Sequence, residues 1–218
     1  MKRWRRYDGR LASGLWHVHT ERTDGENSVT ELVAFADDRG FPLLGITEHV
    51  RREPTYDFDA LYEEGKRAAA AADLECAVGC EAKVLDADGT LDASEGTLDR
   101  ADVVYAAYHG TPFSRDEYLE SVHAMLENPA VDVWAHPWSY ADGQGYEIDA
   151  DERAAVLEAV RENDVLFELN VQRPPDGFDP RTELRDVRTV VGYDLHDLDR
   201  WQGKNERVGR SEPEDIEK

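Results

Sequence analysis

GLWHVHT, residues 14–20, sets two histidines, His17 and His19, two positions apart in a short and largely apolar segment. In a strand, side chains at i and i+2 leave the same face, roughly 6–7 Å apart along the chain. At a strand's end two such rings can converge on one ion. In mid-sheet they are two buried polar groups, each needing a partner. The rest of the chain has to choose between these readings.

Outward from this stretch, short apolar runs alternate with helix-like segments. Strands are expected in GLWHVHT, LLGITEH (43–49), CAVGCEAKVL (76–85), DVVYAAYH (102–109), VDVWAH (131–136), VLFELN (165–170) and RTVVGYDLH (188–196). Helical patterns lie between them. SVTELVAFADDRG (28–40) opens on Ser28 as N-cap with Glu31 at the capping-box position and stops at Gly40. DALYEEGKRAAAAA (59–72), SRDEYLESVHAMLEN (114–128, with Pro129 just beyond) and DADERAAVLEAVREN (149–163) follow. Repeated β-then-α units imply an α/β fold with a mainly parallel sheet. Seven candidate strands point to barrel-like closure, with an open sheet as the alternative. DADGTLD (86–92) carries an Asp-Gly turn and is expected to form a small hairpin. No internal repeat or linker divides the chain. A single domain over 1–201 is expected, with a polar, mobile tail over 202–218.

Composition narrows the setting more than the chemistry. The 48 acidic and 25 basic residues give a net charge of −23, and only five of the basic residues are lysines. An acidic, lysine-poor surface suits a protein of a halophile, because strong salt shortens self-repulsion to a few ångströms. The charge disfavours nucleic acid as a partner, although high salt weakens that inference. The start, MKRWRRYDGR, is basic, but no apolar segment of signal-peptide length follows it. No run approaches a membrane helix in length, so a cytoplasmic protein is expected. Cys76 and Cys80, the only cysteines, share one strand parity and are expected to pack as small apolar residues.

Six of the seven histidines fall in or at the end of a candidate strand: His17, His19, His49, His109, His136 and His196. His123 alone sits on a helix. In a parallel α/β barrel the C-terminal strand ends form one rim, where such proteins build their sites. Carboxylates follow the same rule. Glu81 lies on the third strand facing away from Cys80, Asp194 stands two residues before His196, and Asp24 lies in the loop after the first strand, where Gly25 allows a tight turn. Imidazoles and carboxylates without thiolate suit Zn²⁺, Mn²⁺ or Fe²⁺. A carboxylate such as Glu81 can bridge two ions about 3.5–4 Å apart.

In that order, HVHT, TDG, ITEH, GCEA, YHG, AHP and GYDLH resemble the motif series of the PHP family, from about Trp16 to His196. PHP stands for the polymerase and histidinol phosphatase superfamily of metal-dependent phosphoesterases. The resemblance implies a distorted (β/α)7 TIM-like barrel with two or three divalent ions. It implies a first ion on His17, His19, Glu81 and Asp194, a second on Glu81, His109 and His136, and a third on Asp24, His49 and His196. It further implies hydrolysis of a small-molecule phosphomonoester by a metal-bound hydroxide beside Glu81. Two departures stand out: Glu48 precedes His49 where the family more often has Asp, and Tyr193 precedes Asp194 where a small residue is common. Tyr193 is therefore expected to narrow the pocket. The EAKVLDADGTLD stretch is similar to phosphatase-type members and to the PHP domains of bacterial family X DNA polymerases.

Bland readings compete at several positions. Asp24 alone reads as a turn former, and Asp194 alone as a helix N-cap. His123 reads as a helix-flank residue without chemistry. Trp134 and Trp138 read as core, not as base-stacking residues. Arg51 and Arg52 read as a solvated charge cluster at the rim, and Lys83 stands near Glu81. Arg173, following the ELN strand end, is the candidate phosphate clamp. The rival functions are 3′–5′ exonuclease or phosphodiesterase action on nucleic acid, amidohydrolase-like hydrolysis, and a non-enzymatic module that keeps its metals for structure. The sequence leaves substrate, metal identity and oligomeric state open.

Overall fold

The chain closes into a barrel of seven parallel strands arranged in sequence order. The structure, a computed structural model, describes residues 1–174 and 179–201; the expected polar tail lies outside the described residues. β1 (Leu15–Val18), β2 (Leu43–Val50), β3 (Glu75–Lys83), β4 (Val104–Ala107), β5 (Val133–Trp134), β6 (Leu166–Asn170) and β7 (Thr189–Leu195) pair in turn, and β7 returns to β1. This is the α/β barrel expected from the seven apolar runs.

Helices cover the outside. α1 (Val29–Asp38) begins in the expected capping box: the Glu31 amide donates to the Ser28 hydroxyl, and the Ser28 amide donates to the Glu31 carboxylate at 2.8 Å. α2 (Phe58–Ala71), α4 (Arg115–Glu127) and α6 (Ala150–Glu162) lie where periodicity put them. Three short helices, α3 (Glu95–Arg100), α5 (Ser139–Gln144) and α7 (Pro180–Glu183), were not anticipated, because four to six residues carry too little periodicity. Among the described residues, no helix is long and apolar enough to cross a membrane.

Two apolar clusters follow from strand alternation. One lies between the outer strand faces and the helices and includes Leu15, Val18, Cys76, Cys80 and Trp134. Both thiols are free and buried, and burial pushes each up to about 12. The other fills the barrel and includes Trp16, Leu43, Ala77, Tyr105 and Leu166. The 86–92 hairpin forms as expected, with an antiparallel Val84–Leu91 bridge and the Leu85 amide donating to the Thr90 carbonyl at 2.8 Å.

The basic start closes the barrel's N-terminal end. Residues Arg3–Arg10 form a 3-10 turn that buries Trp4 and Tyr7 in the interior cluster. Its arginines meet acids at successive strand starts. Arg10 lies 2.9 Å from Glu75 (β3), Arg6 2.8 Å from Asp102 (before β4), Arg3 3.3 Å from Asp132 (before β5) and Arg5 2.7 Å from Asp164 (before β6). In barrels of this kind that end serves stability, leaving the opposite rim for chemistry.

Candidate metal centre

At the C-terminal rim, β1 breaks its alternation to deliver two histidines inward. Leu15 and Val18 pack outward while Trp16 packs inward, and the strand pairing shifts register between Leu15 and Val18. His17 takes up the extra residue at φ 61°, a left-handed conformation. His17 and His19 are both fully buried with ring centroids 5.1 Å apart. After them the chain folds back on itself. A Cβ on Gly25 would stand 2.6 Å from the His19 carbonyl oxygen, so only glycine lets Asp24 approach this closely.

The other strands contribute one or two donors each. His49 pairs in register with Glu81 across β2 and β3. His109 and His136 follow β4 and β5, Asp194 lies near the end of β7, and His196 follows it. Glu81 is the hub: the rings of His17, His19, His49, His109 and His136 come within 3.0–3.7 Å of its carboxylate. The two rings of His109 and His136 meet Nε2 to Nε2 at 3.1 Å. Asp194 lies 3.6 Å from His17 and 3.5 Å from His19, and Asp24 lies 3.3 Å from His49 and 3.4 Å from His196. All nine side chains singled out in the sequence thus meet at one rim. Donor atoms within 4.8 Å of one another come from His19, Asp24, His49 and His196, from His17, His19 and Asp194, and from His49, Glu81 and His109.

The donor set fits divalent cations. Nε2 of His17, both ring nitrogens of His19 and Oε2 of Glu81 are buried without a hydrogen-bond partner. Four buried polar atoms left without a hydrogen bond in one cluster are costly unless something else, such as a cation, satisfies them. Electrostatics agrees. Burial alone would push His17 down, but the charges of Glu168 and Glu81 hold it well above the ordinary imidazole value. His19, also opposed by burial, is raised to about 9 by Asp194, Glu48 and Glu81. Glu81 is held well below the usual carboxylate range against its burial, chiefly by His17 and His136. The carboxylates therefore draw in positive charge, which bound cations would supply in place of protons. His109, pushed down by burial to about 4, and His196, also lowered by burial, stay neutral as ligands must.

A pocket of about 330 Å³ opens over this cluster, and Arg51, Lys83 and Arg173 line it beside the candidate ligands. Arg173 is half-exposed, with Nε 3.5 Å from Asp194. Arg52 turns to the hairpin instead, its Nε 3.4 Å from the Leu91 carbonyl. Tyr193, expected to narrow the pocket, does not line it: the ring packs outward against Phe41 and Trp201. Strand parity explains this correction, since Asp194 faces inward and its neighbour must face the helices. His123 lies on α4 away from the cluster, and Trp134 and Trp138 are buried against each other.

Two buried acids have roles that sequence reasoning did not assign: Glu168, which it passed over, and Glu48, which it noted only as a motif departure. Glu168 on β6 accepts from Nδ1 of His17 and from the His136 amide, both at 2.5 Å, and from Nδ2 of Asn170 at 3.1 Å. Glu48 accepts from the Thr20 amide at 2.9 Å and from the hydroxyls of Thr20 and Thr23, and it lies 3.6 Å from Nδ1 of His19. Both orient the rings that face the cluster. The signal was present: an acid inside an apolar strand run, as in LFELN, has to be matched by buried donors.

The PHP domain family model matches residues 16–172, and the chain belongs to that family. It is 28% identical over 209 residues to the DNA polymerase/3′-5′ exonuclease PolX of Bacillus subtilis, covering 85% of this chain and 34% of that protein. It is 29% identical to a "Probable phosphatase" of Clostridium novyi, covering 70% of this chain and 63% of the relative. A "Probable phosphatase" of Acetivibrio thermocellus is 30% identical, with 83% of this chain and 78% of the relative covered. The chain thus spans about a third of the Bacillus protein and under two thirds of the Clostridium one. Among solved structures, the histidinol phosphate phosphatase of Lactococcus lactis, complexed with zinc, L-histidinol and phosphate, superposes with a TM-score of 0.63. That match has 15% identity over 91% of both chains, a likeness of fold.

Proposed function

We propose that this chain is a metal-dependent phosphoesterase that hydrolyses a small phosphomonoester at a centre of two or three divalent ions. The observation that carries this reading is the meeting of nine imidazole and carboxylate side chains at one rim, with four buried donor atoms unpartnered among them. Family membership and phosphatase-named relatives support it. His17, His19, Glu81 and Asp194 would hold one ion, Glu81, His109 and His136 a second, and Asp24, His49 and His196 a third where three are bound. Zinc, manganese and iron all suit these donors. When bound, such ions supply Lewis acidity and hydroxide at neutral pH.

The chain's own residues do the rest. Glu81, buried at the hub and reaching the pocket floor, would hold the ions together with the histidines around it. Arg173 binds the phosphate from the mouth and offsets the charge that builds on its oxygens. No serine or cysteine lines this pocket among the described residues. Dialysis against a strong chelator should abolish turnover of p-nitrophenyl phosphate, and added Zn²⁺ or Mn²⁺ should restore it; full activity after dialysis would defeat the proposal. The exonuclease name of the Bacillus relative motivates a second arm. Turnover of bis-p-nitrophenyl phosphate or single-stranded DNA above that of the monoester would favour a phosphodiesterase.

A further inference from the structure

A second cavity, of about 520 Å³, adjoins the metal pocket. Arg173 lines both. Two more links join them. His109, in the first pocket, stands between Tyr108 and Gly110, which line the second. Ser139, on the second cavity's wall, lies with its hydroxyl 3.1 Å from Nδ1 of His136. The two cavities therefore lie side by side at the rim, with Arg173 common to both, so that a molecule whose phosphate rests on the metal cluster beside Arg173 has this cavity as its neighbour.

The cavity has an aromatic wall and neutral polar edges. Tyr140 is held at its hydroxyl, which donates to the Thr111 carbonyl at 2.8 Å and accepts from the Phe113 amide at 3.0 Å. Its ring also packs against Tyr108, so the aromatic wall is built before any ligand arrives. Thr111 and Gln144 add neutral polar groups. None of the described lining residues is a carboxylate, in a chain with 48 acidic residues, and the one charged group is Arg173. An ammonium-bearing leaving group would meet no carboxylate among the described lining residues and a guanidinium at its threshold, whereas a neutral ring with polar edges meets aromatic faces and amide and hydroxyl groups.

Resting on the phosphoesterase reading, we propose that this cavity is the leaving-group subsite. It selects phosphomonoesters of neutral, ring-bearing alcohols, such as nucleosides, over those of cationic amino alcohols such as histidinol. This sets the chain apart from the structural neighbour that binds L-histidinol.

The test is calorimetric binding to the Zn²⁺-loaded protein of inorganic phosphate, adenosine 5′-monophosphate and L-histidinol phosphate, paired with turnover of both esters. Adenosine monophosphate should bind at least about tenfold more tightly than phosphate and than histidinol phosphate. Gly143→Trp then places a bulky ring at a lining position of the cavity, where a Cβ meets nothing within 4 Å. It should cut the ratio of nucleotide to phosphate affinity by about tenfold. A wild-type protein that binds histidinol phosphate as well as the nucleotide, or the nucleotide no better than phosphate, overturns the subsite. So does a Gly143→Trp protein with an unchanged ratio. Nucleotide-selective binding with no hydrolysis of either ester would uphold the subsite and defeat the phosphoesterase reading instead.

Discussion

Glu168 gives the sharpest test of how the metal centre is held, because it is no ligand candidate yet touches two of them. Its carboxylate is fully buried and accepts three hydrogen bonds: from His17 Nδ1 and the His136 amide at 2.5 Å, and from Asn170 at 3.1 Å. Glu168→Gln preserves volume but removes the negative charge and one acceptor oxygen. The loss of a partner behind a metal-bound histidine costs roughly 10–100-fold in metal affinity, which is about 1.4–2.7 kcal/mol. Glu168→Ala strands all three donors at about 1–3 kcal/mol each, partly offset by removal of the buried charge, so it should also lower the unfolding midpoint. Gly192→Ala offers a way to the same defect without altering any polar group, since its Cβ would fall 1.7 Å from Glu168 Oε1. Titration of metal-free protein with Zn²⁺ against a competing chelator measures the effect, with atomic absorption for stoichiometry. Weaker binding is expected in all three variants. Wild-type affinity, within twofold, in both Glu168→Gln and Gly192→Ala would refute the idea that this carboxylate sets the position of His17.

Other outcomes follow from the same geometry. Arg173→Ala should lower kcat/KM for a phosphomonoester by roughly 10–100-fold, the worth of a hydrogen bond to a charged group, while leaving metal content intact; a loss below twofold would remove the clamp. Trp4→Ala opens a void under the barrel and frees the Asp164 carbonyl, which accepts from its indole at 2.9 Å; about 3–5 kcal/mol of stability should be lost in denaturant titrations, with metal stoichiometry unchanged. The thiols of Cys76 and Cys80, ordinarily near 9, are pushed up to about 12 by burial, so iodoacetamide should leave the folded protein unmodified at pH 8 and label both after unfolding. Because the folded state keeps these protons longer than the unfolded one, their contribution is complete below pH 9 and falls as pH rises towards 12. Urea midpoints of a Cys76→Ala/Cys80→Ala protein should accordingly fall less steeply over that range than those of the wild type.

The sequence made the barrel and its rim legible because both depend on short-range patterns. Apolar runs spaced by helical periods specify parallel strands, and histidines in or at the ends of five of the seven strands need no knowledge of angles to be placed on one rim. What escaped depends on contacts distant in sequence. Glu168 looks like a surface acid until His17, 151 positions away, is found at its oxygen. The start of the chain shows an excess of positive charge, and its purpose appears when Arg3, Arg5, Arg6 and Arg10 meet acids that begin or precede four different strands. Tyr193 was misplaced because motif comparison locates a residue beside Asp194 without saying which face it takes. Parity in β7, with Asp194 turned inward, decides that.

Strand β6 shows how a barrel can hold a site without supplying its donors. None of the nine candidate ligands lies on it, yet three of them, His17, His136 and Asp194, have left-handed backbones at φ 61°, 30° and 46°. Such conformations cost about 1–3 kcal/mol each and persist where neighbours over-determine them. The neighbours here come from β6 and the turn after it. Glu168 ties down His17 and the His136 amide, while the side-chain amide of Gln172 donates to the carbonyls of Tyr193 and Asp194. Asn170 fixes the turn between them, accepting from the amides of Gln172 and Arg173 at 2.9 and 3.0 Å. One short segment, LFELNVQR, thus holds three strained donors in place and projects Arg173 over the cluster they form. Strain at the rim and ion pairs at the opposite end are therefore two parts of one division of labour. The closed, stapled end keeps the strands from shifting, and only against a fixed set of strands can β6 hold its neighbours in conformations they would otherwise leave.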